Sequence, residues 1–285
     1  MKLTTALSIC LAAAASAGSP QGIGTSNGSS WAGDLNLGYS LSNLSGGAVG
    51  GPEEDRYNAA DFELQLGRNI GDYFFQADLF GEMTDVGHSD DSYRKGLGAA
   101  FHLMRQMNDT ASLGVFFGGL TTVQDNDGSD DSDRMFIGIE SKLDRSEADY
   151  YLQVGHLFGG NGSDDNGNDS FTDATFVRIV AERALNDKFS LTGEAGYADG
   201  KVDNDSDADI TNLGIALNYS ISDALLASLS CDMIYYAQAN NDNQELSEFI
   251  VGIGLSYTFG DESSSTNLGT PRFLRWSGIS GGQLE

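Results

Sequence analysis

"FIVGIGLSYTFG", residues 249–260, is the stretch whose reading decides the fold. Large apolar side chains stand at Phe249, Val251, Ile253, Leu255, Tyr257 and Phe259, and between them lie Ile250, Gly252, Gly254, Ser256 and Thr258. Successive side chains of an extended strand point to opposite faces, so a period of two means two different surroundings. One face must meet something apolar and the other meets small or polar groups. Whether the apolar partner is a protein core or lipid is decided by the rest of the chain.

The same period runs through the sequence from residue 31 onward. In "WAGDLNLGYSLS", Trp31, Leu35, Leu37, Tyr39 and Leu41 oppose Asp34, Asn36, Ser40 and Ser42. Phe62, Leu64 and Leu66 then oppose Glu63 and Gln65, and Phe75, Ala77, Leu79 and Met83 oppose Gln76, Asp78 and Glu82. Leu97, Ala99, Phe101 and Leu103 alternate with Gly96, Gly98 and His102, and Leu113, Val115 and Phe117 with Gly114 and Gly118. In the second half Met135, Ile137 and Ile139 face away from Gly138, Glu140 and Lys142, and Tyr150, Leu152 and Val154 from Gln153 and Gly155. These two strands are the least regular, because Phe136 and Tyr151 fall on the polar side. Val177, Ile179 and Ala181 oppose Arg178 and Glu182, and Leu191, Ala195 and Tyr197 oppose Thr192 and Glu194. Leu213, Ile215, Leu217 and Tyr219 oppose Asn212, Gly214 and Asn218; Leu229, Cys231, Met233 and Tyr235 oppose Ser228, Ser230 and Asp232. With the opening stretch the count is twelve. Short turns follow the even strands, at 67–72, 105–109, 144–147, 185–188 and 221–223. Long polar loops follow the odd ones, around 43–56, 84–92, 122–133, 159–172, 199–209 and 237–246.

Composition narrows the class. Only 40% of the 285 residues are hydrophobic, and mean hydropathy is −0.26. No run of 18 apolar residues follows the N-terminus, which excludes a helical membrane protein. Acids outnumber bases 42 to 15, for a formal charge of −27. This argues against nucleic acid as a partner, since phosphate binding needs basic patches. The 15 Phe, 11 Tyr and 2 Trp, regularly placed, argue against disorder. "MKLTTALSICLAAAASA" carries Lys2, an apolar stretch from Ala6 to Ala15 and an A-x-A site, so residues 1–17 read as a secretory signal peptide. Its removal takes Cys10 and leaves Cys231 alone, so no intramolecular disulfide is expected. Residues 18–29 are expected to form an N-terminal periplasmic segment, 30–260 a barrel, and 261–285 a flexible C-terminal tail.

A soluble β-sandwich also alternates. Against it stand the rhythm of short turns and long loops, the signal peptide, and aromatics near strand ends: Tyr39, Tyr197, Tyr219, Tyr235, Tyr257 and Phe259. The expected fold is all-β: a closed, antiparallel, up-and-down transmembrane barrel of about twelve strands, with short periplasmic turns and long acidic extracellular loops. Lipid offers no hydrogen-bond partner, so the sheet closes on itself. With the signal peptide, the twelve strands and the final "GLSYTF", the chain resembles the Gram-negative outer-membrane β-barrels of the porin-like kind. In that family the last strand carries a Gly-x-x-aromatic-x-Phe pattern read by the barrel assembly machinery, and Gly254, Tyr257 and Phe259 match it. The family's terminal Phe is internal here, because 25 residues follow Gly260. The resemblance implies residence in the outer membrane, with lipid and lipopolysaccharide as surroundings.

The inward face is expected to line a pore. Its charged members are Asp34, Glu63, Asp78, Glu82, Glu140, Lys142, Arg178, Glu182, Glu194, Asp232 and Glu248. Acids dominate, so the expected activity is passive diffusion of small hydrophilic solutes or ions with a preference for cations. Inward glycines at 96, 98, 114, 138, 214, 252 and 254 are expected to leave room for water. The alternative is a non-conducting structural or adhesive surface barrel. The long loops hold 20 of the 42 acids. Among them Asp125, Asp127 and Asp130 begin like a calcium loop, but the full ligand spacing is missing. A solvated acidic rim is therefore preferred, and no cofactor is expected, Ca²⁺ at these loops being the one candidate. No catalytic residue is assigned: His88 lies in an acidic loop, His102 faces inward near a short turn, His156 lies in the lipid-facing register near the upper rim, and none has a hydrolase signature around it. The chain is expected not to be an enzyme. Oligomeric state is left open.

Overall fold

The computed structural model describes residues 31–46, 54–85, 93–124, 130–159, 171–202, 206–239 and 244–260. The signal-peptide, N-terminal-segment and tail assignments lie outside them. The described residues form twelve strands: β1 (Ala32–Gly46), β2 (Glu54–Ile70), β3 (Tyr73–Asp85), β4 (Tyr93–Asn108), β5 (Ala111–Gln124), β6 (Asp130–Asp144), β7 (Asp149–Gly159), β8 (Phe171–Ala184), β9 (Phe189–Val202), β10 (Ser206–Ser222), β11 (Leu225–Ala239) and β12 (Gln244–Phe259). Each pairs antiparallel with its neighbours in sequence, and β12 returns to β1, so the sheet is a closed up-and-down barrel. The opening stretch is indeed the closing strand. Its seam with β1 runs from Gly33 opposite Phe259 to Gly46 opposite Leu246.

The side-chain pattern is that of a protein turned inside out. Leu41, Ile139, Leu229 and Ile253 are each more than half exposed on the outer wall, while Gln76, His102, Glu140 and Gln153 are buried inside. A continuous apolar outer surface drawn from twelve strands has no soluble explanation; it fits a lipid surrounding.

Strands run longer than the sequence pattern suggests. An apolar band about 25 Å tall needs only about ten tilted residues. Strands here reach 17 residues, so their tops stand beyond that band, where both faces can be polar. Part of the expected loop acidity therefore lies on strands. Asp130 and Asp133 belong to β6, opposite Gln124 and Thr121, and the Thr121 hydroxyl donates to Asp133 at 2.6 Å. The same lengthening moves Tyr39 from an expected strand end to the midpoint of β1.

The short-turn rim carries an aromatic band. Trp31 packs edge-on against Phe75 at 6.3 Å, Phe189 against Tyr219 at 5.0 Å, and Tyr257 against Phe259 at 6.3 Å. Gly260 ends the wall with φ +87, where a Cβ would run into the Trp31 carbonyl. A chain truncated after Gly260 keeps all twelve strands and the full seam. It is expected to fold in detergent and to show the same heat-dependent gel mobility as the whole chain; a truncated chain that never shows the shift would mean that 261–285 is needed for closure.

Candidate functional site

The inner wall differs from one side of the barrel to the other. From β3 to β8 it carries four almost fully buried rings, Phe80, Phe116, Phe136 and Phe176. Each lies over a glycine of an adjacent strand: Phe80 over Gly98, Phe116 over Gly138, Phe136 over Gly118 and Phe176 over Gly155. A Cβ at any of these glycines would collide with the ring. Phe116 touches Phe136 at 6.2 Å and Phe176 at 6.0 Å between centroids. Leu120, Leu157, Ile210, Ile234 and Tyr236 extend the apolar body toward the long-loop end. A smaller cluster of Phe74, Met104, Tyr151 and Val180 lies toward the short turns. The expectation that inward glycines leave room for water is corrected for Gly98, Gly114 and Gly138, whose space Phe80, Met104 and Phe116 fill.

A polar belt runs between the two apolar clusters. Gln76 Nε2 donates to Asp78 Oδ1 at 2.7 Å. His102 bridges Asp78 through Nε2 at 3.1 Å and Glu140 through Nδ1 at 2.9 Å. Gln153 Nε2 donates to Glu140 Oε2 at 3.2 Å and accepts from Arg178 Nη1 at 3.1 Å. Arg178 Nη2 donates to Glu194 Oε2 at 2.8 Å, and Asn212 Nδ2 to Glu194 Oε1 at 3.2 Å. Ionised carboxylates only accept hydrogen bonds, so an imidazolium donating from both nitrogens satisfies both His102 contacts. Phe116 closes one side of that ring at 5.9 Å. The belt thus sets three carboxylates against one imidazolium and one guanidinium, leaving one acid in excess, over strands from β3 to β10.

The opposite wall presents small residues at mid-height on β11, β12 and β1. Gly38, Ser40, Ser228, Ser230, Gly252 and Gly254 border a cavity of about 220 Å³. Asp61 and Glu63 of β2 and the Arg178–Glu194 end of the belt also line it. The Asp61 carboxylate rests against Gly38, in space that a side chain at 38 would take. Glu63 accepts from Gln65 Nε2 at 3.2 Å. The lumen is therefore eccentric, filled with rings on one side and holding a cavity on the other.

All eleven charged residues expected inside lie on inward positions. Asp78, Glu140, Arg178 and Glu194 join in the belt, and Glu63 lines the cavity. Asp34 accepts from Thr258 Oγ1 at 2.5 Å toward the short-turn end. There Lys142 pairs with Asp144 at 3.0 Å and stands over the Tyr151 ring, and Glu182 accepts from Ser190 at 3.4 Å. Glu82 accepts from Thr84 at 3.2 Å, Asp232 is buried at the midpoint of β11, and Glu248 is buried toward the long-loop end. Gly254 faces Ser228 inside, and Tyr257 and Phe259 stack on the outer rim. Asp125 and Asp127 lie outside the described residues, as does His88, and Asp130 is strand-borne. His156 faces outward, 3.4 Å from Asp173. The sequence reading missed Asp61; it placed Gln153 and His102 on the inward face without their roles in the belt. It also missed the inward rings, whose signal was Phe136 and Tyr151 breaking the alternation.

No family model matches the chain, and no curated protein matches it in sequence. Among solved structures it is similar to an outer-membrane channel from Pseudomonas putida F1, with a TM-score of 0.56, 10% identity, and coverage of 84% of this chain and 99% of that one. A KdgM porin in complex with disordered oligogalacturonate gives 0.47 at 8% identity, covering 79% and 99%. The translocator domain of the autotransporter NalP from Neisseria meningitidis gives 0.47 at 12%, covering 90% and 96%. At such identity the likeness is one of fold: this is a closed, twelve-stranded antiparallel barrel with the architecture of that outer-membrane channel.

Replacing His102 with Leu leaves Asp78 and Glu140 buried without their shared cation. Breaking a buried ion pair on one side costs about 3–5 kcal/mol. A loss of that size is expected in urea unfolding of the protein refolded in vesicles. The triple change D78N/H102L/E140Q is expected to recover most of it.

Proposed function

We propose that the chain is a passive outer-membrane channel for small hydrophilic solutes or ions, with a preference for cations. The observation that carries the reading is the cavity between the Gly/Ser wall and the carboxylates of Asp61 and Glu63. A wall of small residues and hydroxyls keeps that sector wet, and a negative lining raises the local concentration of cations. Passage along it needs no chemical step, and no cofactor is invoked. On this reading residues 1–17 direct export and are removed. The Gly254, Tyr257 and Phe259 pattern serves recognition by the barrel assembly machinery, and the acidic tops of the strands face lipopolysaccharide outside the cell.

A second reading, a non-conducting surface barrel, draws support from the ring-filled sector between β3 and β8. Planar-bilayer recording separates the two. Refolded protein is expected to give ohmic steps with a cation-biased reversal potential, and absence of conductance would sink the channel. The variant D61N/E63Q is expected to shift the reversal potential toward zero. Ser230→Trp, placed on the open wall, is expected to lower single-channel conductance several-fold.

A further inference from the structure

Among the arginines of the lipid-facing wall, Arg68 and Arg105 differ from the cations inside. Lys142 is matched with Asp144 and Arg178 with Glu194. Arg68 on β2 and Arg105 on β4 have no carboxylate within ion-pair distance among the described residues. In a chain with 42 acids and 15 bases, that lack of acid partners needs a reason. Both side chains sit instead on aromatic faces. The Arg68 guanidinium lies 5.8 Å from the centre of Trp31, and that of Arg105 lies 5.9 Å from the centre of Tyr73. Arg68 Nε is hidden from solvent with no acceptor.

Their placement fits a particular ligand. Arg68 is opposite Phe75 on β3, and Arg105 is opposite Tyr73 on the same strand. The two therefore flank β3, about 12 Å apart at the backbone from two strand spacings and a two-residue offset along the strand. They lie beside the short β2–β3 turn, where the apolar band gives way to the aromatic rim. A guanidinium stacked on a ring keeps its donor edge free and planar, the geometry that grips a phosphate through paired hydrogen bonds. Long side chains at this depth carry their charge to the headgroup layer while their stems stay in the apolar zone. We propose that Arg68 and Arg105, seated on Trp31 and Tyr73, form a site for the phosphodiester headgroup of one phospholipid in the leaflet that meets the short turns. The acyl chains would run up the outer face along Phe75 and Phe101, whose rings stack at 6.4 Å. The inference rests on the membrane placement given above and is independent of whether the lumen conducts.

The test uses the full-length protein refolded in detergent micelles and titrated with phosphatidylglycerol, bound lipid being counted by native mass spectrometry. The expected result is one lipid retained at activation energies that strip the others. The variant R68Q/R105Q is expected to lose it, with at least a tenfold weaker apparent affinity. Diacylglycerol, which lacks the phosphate, should not be retained, and inorganic phosphate should not displace the lipid at equal concentration. Equal retention by the double variant, or equal retention of diacylglycerol, would overturn the proposal, and displacement by inorganic phosphate would reduce the site to an anion site. Heat-dependent gel mobility and conductance of the double variant should match those of the unmodified protein. Failure to insert into bilayers at all would instead strike the membrane reading itself.

Discussion

The structure depends on one constraint: a sheet that faces lipid can leave no backbone group without a partner. Each N–H or C=O exposed to hydrocarbon costs several kcal/mol, and no water is present to relieve it. The seam between β1 and β12 is the solution, and the rest follows from it. Chain neighbours pair antiparallel around the ring, so the strand count is even when both ends leave on the same side. Gly260, at φ +87, ends the wall directly after Phe259, beside the start of β1. Once the seam is closed, the outer wall can be apolar because it has nothing else to satisfy.

Closure then fixes the volume inside. A barrel of eight strands is just filled by its own side chains, and the interior widens with each added strand. Twelve strands leave space that must hold either water or unusually large side chains. This chain uses both, in different sectors. Between β3 and β8, rings alternate with glycines across paired strands, so each ring lies flat on the neighbouring backbone. Burying a Phe contributes about 1.5–3 kcal/mol, which offsets the weakness of a glycine in a strand. At mid-height on β11, β12 and β1 the inward residues are also small, but no ring reaches over them, and a cavity remains.

How much of this was legible in the sequence follows from what each feature requires. The period of two was legible because lipid demands apolar residues at every outward position, whatever the register. Strand ends were harder, since beyond the membrane both faces are wet and the alternation fades; Asp130 read as loop for that reason. The belt was hidden because it depends on register. His102 is 24 residues from Asp78 and 38 from Glu140, and only the pairing of β3 to β6 brings them within reach. Glycines read alike on both sides of the barrel, yet Gly138 lies under Phe116 while Gly252 borders the cavity. What distinguished them was an aromatic at an inward position of the next strand, and that signal appeared as irregularity at Phe136 and Tyr151.

The belt also changes how the lumen's charge is to be counted. Summing inward acids treats each as a source of field, but Asp78, Glu140 and Glu194 share the cations His102 and Arg178, which offset two of their three charges. Most of their charge is taken up locally, inside a body of rings where an unmatched carboxylate would cost far more than on the open wall. A solute in the cavity is screened from distant charges within about 8–10 Å. The carboxylates that shape its surroundings are those at the water's edge. Asp61 lies there because Gly38 yields it space, and Glu63 because Gln65 steadies it. The sign preference proposed for the lumen is thus a property of the β1–β2 wall, and the ring-and-belt sector opposite serves as the rigid backing that confines a solute against it.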